Sequence, residues 1–100
     1  MPVLRKNPAE QRYEVIEHDQ VLGHISYRPS ASGAIDLIHT EVDPSQEGKG
    51  LGGQLARFAL EDIRASGARA IPTCSFIARY IERHPDLAAV RASPAHEPGQ

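Results

Sequence analysis

Three groups of residues in the middle of the chain have types and spacings that could do chemistry. They are His39-Thr40-Glu41-Val42, then Glu47-Gly48-Lys49-Gly50-Leu51-Gly52-Gly53, then Ile71-Pro72-Thr73-Cys74-Ser75-Phe76. Glycines let the backbone come close to a bulky anion, and a helix opening at that point aims unpaired N–H groups at it. Cys74 is the single cysteine of the chain. In the first turn of a helix, its thiolate would be favoured by the positive end of the dipole. Beside Phe76 it would equally serve as a small buried hydrophobe, and the two readings stand side by side. His39 and Glu41 share one face of a strand by the two-residue period, and either could take a proton from an attacking group, directly or through water. Their structural alternatives are a half-buried histidine bonded to backbone and a simple rim carboxylate.

Such a cradle needs a strand to deliver the chain to the glycines and a helix to carry it away. Arg12 to Glu17 alternates, with Tyr13 and Val15 on one face, and His18-Asp19-Gln20 forms a short turn. Val21 to Tyr27 follows, with Val21, Ile25 and Tyr27 on one face, so the two runs predict an antiparallel hairpin. After a loop at Pro29 to Gly33, Ala34 to Val42 is a third strand, broken by Asp43-Pro44-Ser45-Gln46-Glu47. From about Gly50 to Ser66, Leu51, Leu55, Phe58, Ala59 and Ile63 recur at helical spacing, and Gly67 stands where the helix should stop. Arg69 to Pro72 is a short strand. Thr73 is the expected N-cap of a second helix with Phe76, Ile77, Tyr80 and Ile81 on one stripe, ended at Pro85.

Residues 1–11 read as a polar N-terminal segment, 12–91 as the domain proper, and 92–100 as a frayed tail, with Asp86 to Ala92 adding a further turn. The order β-β-β-α-β-α predicts an α/β (α+β) fold: a mixed, mostly antiparallel sheet with helices packed on it.

At 100 residues with 40 % hydrophobic content, the chain is one domain with a modest core. A net charge of −2, from 11 Lys+Arg and 13 Asp+Glu, disfavours nucleic acid as a partner. One cysteine and scattered histidines exclude a disulfide framework and a cysteine-based zinc site, so no metal is expected. No apolar run reaches membrane-spanning length and no signal pattern opens the chain, so the expectation is a soluble cytoplasmic monomer with no membrane partner.

Gly48-x-Gly50-x-x-Gly53 formally matches the dinucleotide fingerprint, but it follows three strands and the next strand ends without a carboxylate. A phosphate-binding P-loop needs Ser or Thr after Gly-Lys, and here Gly50 follows Lys49. A coenzyme A pyrophosphate cradle is the third reading. Glu47-Gly48-Lys49-Gly50-Leu51-Gly52 resembles the signature of the GNAT superfamily of acyl-CoA-dependent N-acetyltransferases, with Glu47 standing where Arg or Gln is usual. With His39-Thr40-Glu41-Val42 before it, and Ile71-Pro72-x-Cys74-x-Phe76 and Tyr80-Ile81-x-x-His84-Pro85 after it, the chain is similar to the small single-domain GNAT-like family of about 100 residues.

The resemblance implies a minimal GNAT-like fold, with acetyl-CoA as co-substrate and an amine acceptor, a small molecule or a protein. It implies that Thr40, Glu41 and Val42 offer backbone groups to the pantetheine, and that Gly48, Lys49, Gly50, Leu51, Gly52 and Gly53 hold the pyrophosphate. Lys49 and Arg57 could add a charge contact. His39 or Glu41 would act as base, Cys74 as an acetyl-accepting nucleophile in a two-step route, and direct transfer is the alternative. Tyr80 is a core residue or the acid that reprotonates the thiolate, and His84 suits a helix C-cap. Larger members place helices between their first two strands, so the short turn here implies an open acceptor side. A coenzyme-binding module that senses or scaffolds without turnover is the rival function.

Overall fold

Alternating apolar residues become a meander in the computed structural model, which describes residues 2–92. Strands β1 (Val3–Asn7), β2 (Arg12–Glu17), β3 (Gln20–Pro29) and β4 (Ile35–Val42) pair antiparallel in sequence order. β5 (Ala70–Ile71) closes the row as the parallel neighbour of β4, and Arg91 adds an isolated parallel bridge to Ala70. Helix α1 (Leu51–Ala65) makes the crossover between them, and α2 (Ser75–Arg83) follows β5. A 3-10 turn at Pro44–Gln46 precedes α1, and another at Pro85–Val90 follows α2.

The sequence reading missed β1, which pairs with β2 from Val3↔Ile16 to Asn7↔Arg12. Its side chains are mostly polar, and its register is set by pairing with β2, which no local pattern records. Lys6 ties it down by reaching Asp62 on α1 at 3.3 Å, and Asp62 also accepts the Tyr13 hydroxyl at 2.9 Å. Ala92, expected in the tail, donates its N–H to the Ala70 carbonyl at 2.8 Å and so belongs to the folded unit. The frayed tail expected at Ser93 to Gln100 lies outside the described residues.

Two bulges reset which side chains face the core. Val15 pairs with Gly23 while Ile16 pairs with Val21, so Leu22 is an extra residue in β3. It turns into the core, and Val21, expected on the inner face, is exposed. In β4, Ser26 pairs with His39 and Tyr27 with Leu37, which leaves Ile38 as the extra residue. The β2–β3 turn is made by His18 and Asp19, both with positive φ, the two-residue geometry that matches strand twist.

Both helices cover one face of the sheet. Leu55, Ala59, Leu60 and Ile63 of α1 bury against Tyr13, Val15, Ile25 and Leu37, and Ile77 and Ile81 of α2 complete the core. Removing such side chains from water stabilises by about 1.5–3 kcal/mol apiece. Gly67 at φ +82° ends α1 as expected, with its N–H to Arg64 and that of Ala68 to Ile63, the paired bonds of a Schellman stop. The expected Thr73 cap is corrected: Cys74 is the N-cap of α2, and the Thr73 hydroxyl instead donates to Asp36. No described helix is long and apolar enough to cross a membrane.

Candidate functional site

β4 and β5 stay together for only two residue pairs, Ile35↔Ala70 and Asp36↔Ile71. One more backbone bond, from Cys74 N–H to the Leu37 carbonyl at 2.9 Å, continues the contact. Beyond it α2 turns away, and among the described residues no other strand pairs with that edge of β4 from Ile38 to Val42, where the Thr40 amide faces the Cys74 sulfur. A strand edge with free N–H and C=O groups is a ready partner for an extended, amide-bearing chain. The resulting wedge has β4 as one wall and the start of α2 as the other.

The glycine turn stands at the end of β4. The Asp43 carboxylate accepts the Ser45 N–H and hydroxyl, both at 2.9 Å, which caps the 3-10 turn and holds its own pKa below the usual carboxylate range. Gly48 at φ +84° and Gly50 at φ +74° then reverse the chain in left-handed conformations that disfavour a side chain. Gly50 is the N-cap of α1, so the N–H groups of Leu51, Gly52 and Gly53 have no partner within the helix. A Cβ built on Gly48 or Gly50 would meet nothing within 4 Å, so the approach to this backbone is open. Oriented N–H groups with no covering side chain fit a pyrophosphate.

Gly52 is explained otherwise. A Cβ on Gly52 would come within 3.1 Å of the Phe76 ring, whereas one on Gly53 would make only an ordinary contact with Tyr80 at 3.6 Å. Gly52 lets the Phe76 ring of α2 rest on the first turn of α1. Phe76 is thereby placed at the lip of the wedge, 41 % exposed.

The charged neighbours are mostly committed elsewhere. Arg57 donates to Asp86 at 2.9 Å, Glu61 at 3.2 Å and the Tyr80 hydroxyl at 3.2 Å, bonds that raise its pKa further. The expected contact of Arg57 with a phosphate is therefore replaced by a clasp across the helices. Lys49 is exposed and bonds Gln46 at 3.1 Å, and Glu47 is exposed in the turn. Tyr80 packs partly against the core and stacks on His84 at 3.8 Å, whose Nδ1 lies 2.7 Å from the Tyr80 carbonyl. His84 is the C-cap of α2, as read from the sequence.

Cys74 sits half-buried in the wedge with its Sγ 3.5 Å from Thr40 Oγ1. Burial alone would push the thiol pKa up, but Thr40 and the amides of Ile77 and Phe76 outweigh it and bring the pKa below that of an ordinary thiol. His39 does not join this group. Consecutive strand residues point to opposite faces, so Thr40 turns toward Cys74 while His39 and Glu41 lie on the face away from the helices. His39 Nε2 and Glu41 Oε1 are 3.6 Å apart, and both side chains are largely exposed, 60 % and 66 %. His39 is thus neither half-buried nor bonded to backbone. Val42 and Leu51 put their side chains against or into the core, leaving only backbone groups for a ligand. Sequence reasoning missed the Thr40 hydroxyl and the seating of Phe76, because both depend on the angle between α2 and β4.

A family model described as GCN5-related N-acetyl-transferase matches residues 12–90. Protein NATD1 of Gallus gallus and of Homo sapiens are each 31 % identical over 68 residues, 68 % of this chain. The chain spans about 60 % of the length of these curated relatives. A GCN5-like candidate N-acetyltransferase from Staphylococcus aureus shares the fold at a TM-score of 0.72 and 22 % identity, over 98 % of this chain and 95 % of that one. A candidate acetyltransferase of the GNAT family from Desulfovibrio desulfuricans matches at 0.56 and 28 % identity, over 72 % of this chain and 52 % of that one.

Proposed function

The chain belongs to the GCN5-related N-acetyltransferase family, and from that premise we propose that it binds acetyl-CoA in the wedge between β4 and α2 and transfers the acetyl group to an amine. The observation that carries this is the parting of β4 from β5 beside an open glycine turn. The backbone of Gly48 to Gly53 would hold the pyrophosphate, and the free edge of β4 from Thr40 to Val42 would pair with the pantetheine. When bound, acetyl-CoA supplies an activated thioester.

The chain's own residues then have separate tasks. The wedge positions the acyl carbon, which is worth several kcal/mol of barrier when orientation is right. Glu41 and His39, on the face open to solvent, take the proton from the incoming ammonium. Cys74, with Thr40 against its sulfur, is a nucleophile for a two-step route, and direct attack by the amine is the other route. Only His18 and Asp19 bridge β2 and β3, so the hairpin supplies no lid there. That openness supports an acceptor amine carried on a larger molecule. Glu47 in the turn and the commitment of Arg57 to Asp86 favour weak coenzyme binding and keep a non-catalytic coenzyme-binding module as the second reading.

Titration with coenzyme A should move the amide resonances of Glu41 to Gln54 most, and Gly50→Val, checked for folding, should abolish the response. Shifts centred on the β2–β3 hairpin would refute the site. Release of free thiol from acetyl-CoA in the presence of spermidine or lysine peptides separates the enzyme from the module. Intact mass after acetyl-CoA exposure, wild type against Cys74→Ser, separates the two routes.

A further inference from the structure

The face of the sheet away from the helices carries a row of polar side chains set by register alone. Arg5 lies opposite Glu14, Glu14 opposite His24, and His24 opposite Glu41. Directly opposed residues of an antiparallel pair bring their Cβ atoms within about 5.5 Å, close enough to interact. His24 and Glu41 also line one cleft of about 250 Å³, together with Asp43, Pro44 and Val21.

Glu14 is spoken for. Its carboxylate, fully buried, accepts from Arg5 at 2.9 Å, from Arg12 at 2.6 and 2.9 Å, and from Asn7 at 3.2 Å. It makes no hydrogen bond to His24 and acts on that ring only through its charge, more weakly than Glu41. Among the described residues the ring of His24 makes no hydrogen bond, so both of its nitrogens are open to exchange a proton. The charged groups around it are Arg12 and Glu14 from β2, with Arg5 of β1 behind them, and Glu41 and His39 from β4, with the Asp43 carboxylate lining the same cleft. Desolvation and the Arg12 charge lower the His24 pKa, against the smaller pull of Glu41. His24 is therefore a neutral base near neutral pH, in the cleft it shares with Glu41.

We infer that His24 is a positioning residue that receives the acceptor's proton from Glu41 and passes it to solvent, with His39 flanking the same carboxylate. This rests on the acetyl-transfer reading of the wedge. An alkylammonium acceptor must shed two protons to become an amide. The first leaves before attack and travels from the ammonium to Glu41, then to His24, then to water. The nitrogen lone pair then forms the C–N bond as the C–S bond breaks, and the second proton ends on the departing thiolate. One proton is released overall, and the relay carries that one.

The histidine rings can be followed by NMR across a pH titration of the free protein. In Glu41→Gln, an exposed change, the His24 titration should move to lower pH, because a neighbouring negative charge is gone. His24→Gln should lower kcat/KM about a hundredfold near neutral pH, the low end of what one positioned proton-transfer group contributes. It should leave KM for acetyl-CoA in place, shift the acid limb of the pH profile, and be rescued by added imidazole. A His24 titration unmoved by Glu41→Gln overturns the relay, as does a His24→Gln profile whose acid limb stays where the wild type has it. If wild-type protein releases no thiol from acetyl-CoA with spermidine or lysine peptides, the transfer reading falls and takes the relay with it. That failure is told apart because the Glu41→Gln shift is read without substrate.

Discussion

The two faces of the sheet use the same strands for opposite purposes. Toward the helices, Tyr13, Val15, Ile25 and Leu37 are almost completely buried and meet Leu55 and Leu60 of α1. On the other face, Arg5, Glu14, His24 and Glu41 make a polar row with only Glu14 out of water. An apolar face is held by area removed from water and tolerates little change in volume. The polar face is held by charge pairing and can change protonation without disturbing the core. β4 sits where these meet: Thr40 turns inward to Cys74, and its neighbours His39 and Glu41 turn outward.

The largest effect should come from the inner face. Leu55→Ala, at a position with no exposure, should cost about 3 kcal/mol in denaturant unfolding, since the sheet cannot collapse into the void. If the cost were under about 1 kcal/mol, the helix-covered face would not be the principal source of stability. Next comes the outer face. Glu14→Ala leaves Arg5 and Arg12 without their partner, and because both are partly exposed the loss should be about 2 kcal/mol. The two changes should also differ with pH. Burial by itself would raise the Glu14 carboxyl, but the bonds from Arg5, Arg12 and Asn7 outweigh it and hold it below its ordinary value. A carboxyl depressed in the folded state contributes fully above its unfolded pKa, and the contribution is lost as pH falls through the folded value. Glu14→Gln should therefore flatten the acid limb of stability, and Leu55→Ala should leave its slope unchanged.

Gly52→Ala probes the seam between helices. Better helix propensity favours the change by up to about 1 kcal/mol, and the 3.1 Å contact with Phe76 opposes it. Because Phe76 is partly exposed the ring can yield, so net stability should change by under about 1 kcal/mol while the Phe76 ring resonances move. Unmoved resonances would refute the seating of that ring on α1. The smallest effect is at the wedge. Thr40→Val should change stability little and raise the Cys74 thiol pKa, because the Thr40 hydrogen bond is among the contacts that lower it. Alkylation rates against pH measure this, and an unchanged profile would mean that backbone amides alone favour the thiolate.

The same contrast separates what was legible in the sequence from what was not. Gly67 predicted its Schellman stop and His84 its C-cap, because both effects are local to one helix end. Val21 was placed on the wrong face because the bulge at Leu22 is created by pairing with β2, which no two-residue period records. Arg57, which the family resemblance offered as a charge contact for the phosphate, is clasped by Asp86, 29 residues further on.

Sequence alone determined the antiparallel strands β2 to β4, the crossover helix, the glycine turn with its two positive-φ positions, and the family likeness those motifs carry. Each follows from preferences acting over a few residues: alternation, helical period, the conformational freedom of glycine. Tertiary structure alone decided that β1 exists, that Gly52 makes room for Phe76 of α2, that Cys74 answers to Thr40 and not to His39, and that His24 stands opposite Glu41. Those outcomes depend on strand register and helix crossing, where a shift of one residue carries a side chain to the other face of the sheet.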